Sequence, residues 1–247
     1  GGGRQPAGGG AWGMAGGMAG GTADGARDGE ARAGMAWLMS AAQAARELVA
    51  ESARYAAMGW MRATSGNLSV VVNDDPLRLA VTASGLDKGE LTVDDIVEVD
   101  AAGRPTGAMG SGTPSAEAAL HARLVSATGA RAVVHLHTLP CVLAAGRFPG
   151  GVVLSGLEML KALGRPADGP PTRLPVVANS QDMAVLGERA VGALVAGVPV
   201  LLVAGHGMYV WGRDLAAARR HAEATDWLCA WAVAQDWPPG LVALSQP

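Results

Sequence analysis

The stretch Arg131-Ala-Val-Val-His135-Leu-His137-Thr-Leu-Pro140 constrains this chain more than any other. Ala132 to Val134 is a short apolar run that reads as a buried strand, and it ends in His-x-His. Side chains in a strand alternate faces with a period of two, so His135 and His137 point the same way. Two imidazoles side by side at a strand end supply half of a metal site. His206, in Gly205-His206-Gly207, follows a second apolar run from Val198 to Val203 and offers a third ligand. Glu117 lies just upstream of the pair. Three His with one nearby carboxylic acid make up a catalytic zinc site with an open position. Glu117 also has an ordinary explanation, since the helix dipole favours an acidic residue in a first helical turn whatever the function. A metal-polarised carbonyl needs a base, and that gives the carboxylate its functional reading.

The rest of the chain bounds what such a site can belong to. At 247 residues, 49% of them hydrophobic, it is long enough for one sizeable core. A formal net charge of −3 gives no electrostatic case for nucleic acid or an anionic membrane surface. Cys141 and Cys229 allow one disulfide but no framework, which fits a reducing compartment. No apolar run reaches bilayer-spanning length, and a cytoplasmic location is the expectation. Residues 1–34 are dominated by Gly and Ala without a period. Such a segment buries too little apolar surface to offset its ordering entropy, so it reads as a disordered tail. Residues 35–240 form the expected catalytic domain, and 241–247 a C-terminal tail.

From Ser40, Ala45, Leu48, Val49, Ala53 and Ala56 recur at helical spacing, opposed by Glu47, Glu51 and Arg54, with Gly59 as the stop. Ser69 to Val72 and Leu77 to Thr82 read as a hairpin across the turn Asn73–Pro76. Ile96 to Val99 is a further strand. Thr113 can cap, and Pro114 can open, a helix carrying Glu117 and His121 and stopping at Gly129. Cys141 to Ala145 reads as a short helix, and residues 146–175 as loop with a short strand from Val152 to Leu154. Asp182 caps a helix to about Ala196, and Met208 to Trp211 is the last strand. Asp214 caps a long helix with Leu215, Ala218, Ala222, Thr225, Cys229 and Ala232 on one face. Regular structure ends at Pro238-Pro239-Gly240. Hairpins without strict βαβ alternation predict an antiparallel or mixed sheet covered by helices on both faces.

Two polar turns, Thr64-Ser65-Gly66-Asn67 and Thr82-Ala83-Ser84-Gly85, carry amides and hydroxyls, and Ser115 sits at a helix start. Such groups suit phosphate, although similar tetrapeptides commonly just connect strands. The P-loop spacing is absent. His121 shares a helix face with Glu117 and has a structural reading. His221 reads as a solvated or interface residue.

The ordered set Thr-Ser-Gly-Asn-Leu-Ser, then Ser84-Gly85, Pro114-Ser115-Ala116-Glu117 with His121, His135-x-His137 and Gly205-His206-Gly207 resembles the class II aldolase/adducin superfamily over about residues 40–235. The resemblance implies an α/β fold, a three-layer α/β/α sandwich around a mainly antiparallel central sheet, commonly a homotetramer with sites at subunit interfaces. It implies one Zn2+ per subunit on His135, His137 and His206, and Glu117 as the acid/base. Gly66, Asn67, Ser84, Gly85 and Ser115 would hold the phosphate of a small phosphorylated ketose. The later stretches, Ser155–Gly164, Asn179-Ser-Gln-Asp182 and His206–Asp214 followed by Ala218-Arg-Arg-His221, are most similar to the branch that dehydrates 5-methylthioribulose 1-phosphate. A zinc-dependent aldolase for a sugar 1-phosphate such as fuculose or rhamnulose phosphate is the alternative, a four-epimerase of pentulose phosphates is third, and a non-catalytic adducin-like module is the non-enzymatic reading. Leu136 departs from the small polar residues frequent between the first two His.

Overall fold

The computed structural model describes residues 39–235. The expected tails at 1–34 and 241–247, and the stop at Pro238–Gly240, lie outside them. Helix α1 (Ala41–Ala57) opens on Ser40, whose hydroxyl accepts from the Gln43 amide, and leads into the hairpin β1 (Asn67–Asp74) and β2 (Leu77–Thr82). A single 3-10 turn (Val93–Asp95) precedes β3 (Ile96–Asp100). Then come α2 (Ala118–Thr128), β4 (Ala132–Leu136) and α3 (Leu139–Arg147). Two short strands, β5 (Val152–Leu154) and β6 (Thr172–Leu174), pair with each other across a 3-10 segment, Glu158–Leu163. The described residues continue with β7 (Val176–Val177), α4 (Met183–Gly192), β8 (Val200–Val203), β9 (Gly207–Gly212) and α5 (Leu215–Gln235).

Seven strands form one sheet in the order β3-β2-β1-β4-β9-β8-β7. Every pair is antiparallel except β7 with β8. Alternation along the strands divides the core in two. Leu68, Val134, Leu136, Leu202 and Met208 pack with α1, α3 and α5 on one face. Val71, Val133, Leu201, Val203 and Tyr209 pack with α2 and α4 on the other. This is the expected three-layer α/β/α sandwich. Burial of these apolar faces, at about 25 cal/mol per Å2, is the main stabilising term. Leu136 is fully buried on the face opposite His135, so a leucine suits the position between the two imidazoles. Cys141 and Cys229 are free, buried thiols. No helix among the described residues is long and apolar enough to cross a membrane.

Three expectations from the sequence need correction. The helix carrying Glu117 does not begin at Thr113 or Pro114. It begins at Ala118, because the preceding segment is held extended against the β2 end: Pro114 bridges Ala83, and the Ser84 amide donates to the Thr113 carbonyl. The helix after Asp182 stops at Gly192 rather than Ala196, with Gly197 in the left-handed region and Pro199 beyond it before β8. On α1, Glu51 and Ser52 belong to the buried face, since Glu51 reaches Arg219 on α5 at 3.2 Å.

Candidate active site

His135 is the penultimate residue of β4, with Asn67 and Tyr209 as its cross-strand neighbours on β1 and β9. Its ring is fully buried and stacks on Tyr209 with centroids 4.1 Å apart. The Nδ1–H donates to the Met208 carbonyl at 2.9 Å. A carbonyl only accepts, so the proton is fixed on Nδ1 and the Nε2 lone pair is left facing the site. His137, two residues on, places its Nε2 2.8 Å from that of His135. His206 comes from the β8–β9 turn, where Gly205 adopts φ 65° to reverse the chain. Its Nε2 lies 3.2 Å from His135 Nε2. The three ligand nitrogens all fall within 4.8 Å of one another.

Glu117 caps α2 at its N-terminus without a side-chain capping bond. Its carboxylate is turned to the imidazoles instead, with Oε2 3.2 Å from His135 Nε2 and Oε1 3.3 Å from His206 Nε2. The dipole explanation of this residue therefore does not account for where its side chain goes. Asn67 Nδ2 donates to Oε2 at 2.6 Å and fixes the carboxylate. The buried Tyr209 hydroxyl lies beside the same carboxylate, without hydrogen-bond alignment to any described group. Burial opposes ionisation of Glu117. His135, the Asn67 amide, Tyr209 and His206 outweigh it and hold its pKa at about 2. Burial first, with the neighbouring imidazoles, lowers His135 to about 3, against the pull of Glu117. A neutral imidazole at His135 is the protonation state a divalent cation requires of such a ligand.

The donor set fits such a cation. The His135 Nε2 lone pair lies 2.8 Å from His137 Nε2 and 3.2 Å from His206 Nε2, so the three rings can turn their ε nitrogens to one point. Two ligand nitrogens at about 2.0–2.1 Å from a tetrahedral zinc stand roughly 3.3 Å apart, close to what is seen.

A pocket of about 470 Å3 opens onto this cluster. Gly66, Asn67, Ser84, Gly85, Ser115, Glu117, His137 and His206 all line it, so every residue expected at the site except fully buried His135 reaches one cavity. Gly66 has φ 76°, and a Cβ there would stand 2.9 Å from the His135 carbonyl, so close backbone approach explains the glycine. Gly85 has φ 75° and open space where a Cβ would be. Ser84 has given its amide to Thr113, and the Ser115 hydroxyl accepts from the Glu117 amide. His121 is buried behind Tyr209, with Nδ1 2.8 Å from the Ser69 hydroxyl. His221 binds the Trp211 carbonyl through Nδ1 at 2.6 Å and lines a different cavity.

Sequence reasoning passed over Lys88 and the Asn179-Ser180-Gln181 loop, which also line the pocket. Asn179–Gln181 was visible as a helix lead-in and as part of the family resemblance, without a place at the site. Lys88 carried a compositional signal, being one of just two lysines in the chain.

Comparison with known proteins places this arrangement. The family model described as Class II Aldolase and Adducin N-terminal domain matches residues 46–233. The methylthioribulose-1-phosphate dehydratase of Geobacillus kaustophilus is 39% identical over 190 residues, covering 76% of this chain and 90% of that protein. That of Sorangium cellulosum is 43% identical over 176 residues, covering 69% and 82%. Among solved structures, YgbL of Klebsiella pneumoniae superposes with a TM-score of 0.67 at 23% identity, covering 80% of this chain and 92% of that one. The L-fuculose-1-phosphate aldolase of Thermus thermophilus gives 0.58 at 24% identity, covering 76% and 93%. At those identities the two structures share the fold.

Proposed function

Because the chain belongs to the class II aldolase and adducin family, we propose that it works as its dehydratase relatives do, as a metal-dependent hydro-lyase. It dehydrates 5-methylthioribulose 1-phosphate to 2,3-diketo-5-methylthiopentyl 1-phosphate, a step of methionine salvage. The observation that carries this is the identity of 36–43% to dehydratases over 80–90% of their length, joined to a complete set of three His and one Glu at one pocket. That completeness also argues against the non-catalytic, adducin-like reading.

His135, His137 and His206 would hold the metal, which we assign as zinc, one per subunit. When bound it supplies Lewis acidity at the ketone and its neighbouring hydroxyl. The Met208 carbonyl keeps the His135 lone pair aimed inward. Glu117 is the base, with its ionised carboxylate aimed by Asn67. It takes the proton from C3, next to the C2 ketone, and the electron pair of that bond moves toward the carbonyl. The C4–O bond then breaks, and the departing hydroxyl takes the proton from Glu117 and leaves as water. The resulting enol ketonises by gaining a proton at C4, which gives the diketone. The Gly66, Ser84, Gly85 and Ser115 positions lie on the same cavity and would hold the phosphate, positioning the carbon chain for proton transfer, while the Asn67 side chain is engaged with Glu117. We further assign the protein to the cytoplasm as a homotetramer.

A product assay by NMR tests the reading. The zinc-loaded protein is incubated with 5-methylthioribulose 1-phosphate and, separately, with fuculose 1-phosphate. Diketone from the first substrate alone is the expected result. Dihydroxyacetone phosphate from the second would replace the dehydratase reading with an aldolase on the same site. Silence with both, with metal bound, would refute both substrates.

A further inference from the structure

Lys88 is a buried cation that the chemistry above does not use. Only 1% of its surface is exposed. Its ammonium donates to the Thr64 carbonyl at 3.1 Å and the Leu86 carbonyl at 2.7 Å, and it forms no ion pair with a carboxylate among the described residues. Asp87, its neighbour, spends one carboxylate oxygen on the Gly89 amide. A buried charge left without a counterion is costly, and burial accordingly lowers the pKa of this lysine. Such a group persists where an anion completes it.

The position says which anion. Among the described residues, Lys88 and Glu117 are the only Lys, Arg, Asp or Glu side chains lining the pocket. Glu117 is committed to the imidazoles. Lys88 is bonded to the two polar turns, since Thr64 opens the first and Leu86 follows Ser84-Gly85 in the second. Positive charge is therefore set at the turns and negative charge at the imidazoles. An ammonium has three tetrahedral donors, and two are taken by carbonyls, which leaves one N–H for a ligand. A planar guanidinium cannot reproduce that arrangement. The chain uses Arg at nearly every other basic position, with Lys161 the only other lysine, exposed beside Glu158.

We propose that Lys88 is the charged residue that binds the substrate's phosphate, while its two carbonyl bonds hold the turns around that group. This rests on the reading of the substrate as a ketose phosphate and extends it to a residue that the family resemblance did not supply.

Inorganic phosphate is the probe. Calorimetric titration into metal-loaded wild type and Lys88→Met should show affinity falling about 10- to 100-fold in the variant, the usual range for losing one charge-assisted hydrogen bond. With 5-methylthioribulose 1-phosphate, kcat/KM should fall by a similar factor, mostly through KM. With dephosphorylated 5-methylthioribulose it should stay within about twofold. Equal losses on both substrates would reduce Lys88 to a turn-holding residue and overturn the proposal. Should Lys88→Met fail to fold, a crystal of the wild-type holoenzyme grown with phosphate decides the matter. Phosphate within hydrogen-bond distance of Lys88 Nζ supports the proposal, and phosphate bound elsewhere or not at all overturns it. Phosphate held by Lys88 in a protein inactive on the methylthio substrate would retain this site and remove the substrate assignment.

Discussion

Glu117→Gln isolates proton transfer from everything else the site does. The change keeps the length and planar end of the side chain, so an amide oxygen can still accept from Asn67 Nδ2. It removes the only carboxylate lining the pocket among the described residues. Among the described residues the remaining basic groups there are His137 and His206, whose Nε2 atoms point into the cluster, and Lys88, whose ammonium is bonded to the Thr64 and Leu86 carbonyls. No second base is placed to substitute, so the loss should sit in the upper part of the range for a general base, about a thousandfold to ten-thousandfold in kcat. That corresponds to about 4–5.5 kcal/mol in the barrier. Metal content should stay at one per chain, because the three imidazoles are untouched, and circular dichroism should match wild type. The assay is turnover followed by NMR, with metal quantified on the same sample. A variant that retains one metal and loses less than about tenfold in kcat would remove Glu117 from the reaction.

Two further changes probe the site's construction. His137→Ala removes one of three ligands and should abolish both metal binding and turnover. Its melting temperature should match that of chelator-treated wild type, because the stabilisation a metal adds by binding the folded state, about 4 kcal/mol at a thousandfold excess over Kd, is lost in both. Stoichiometric zinc in that variant would show the ligand set to be wrong. Gly207→Ala should destabilise the sheet beside the site, because the added Cβ would stand 2.2 Å from the Leu136 carbonyl, a backbone atom on the adjacent strand. Overpacking of this kind costs about 1–3 kcal/mol, so the melting temperature should fall by roughly 3–10 °C with weaker metal binding. An unchanged melt would mean that β4 and β9 yield there at no cost.

The sequence alone determined the alternation that builds the sandwich and the three imidazoles and one carboxylate that meet in it. A period of two placed His135 and His137 together, and their nitrogens stand 2.8 Å apart. The apolar face Leu215–Ala232 of the last helix is buried throughout, since local periodicity and burial are the same fact seen twice. Helix limits were less legible. Thr113 and Pro114 carry good capping chemistry, yet a long-range bridge to Ala83 holds them extended, and no local signal encodes a partner some thirty residues away. Glu51 looked solvated because its partner Arg219 is distant in sequence.

The partners of single side chains were decided only by the tertiary structure. Asn67, expected at a phosphate, turns its amide to Glu117 because β1 lies directly beside β4, with Asn67 opposite His135. Tyr209 could not be placed from sequence, and the pairing of β9 with β4 sets its ring on His135. Lys88 gave no motif at all, and its meaning comes from two carbonyls, one of them 24 residues away in the chain, that fold around its ammonium. Residue types and short periods are local properties, legible in the chain itself. The direction of a hydrogen bond, the partner of a buried charge and the cavity a side chain faces depend on which distant strands become neighbours. Those pairings are set by packing the whole sheet at once.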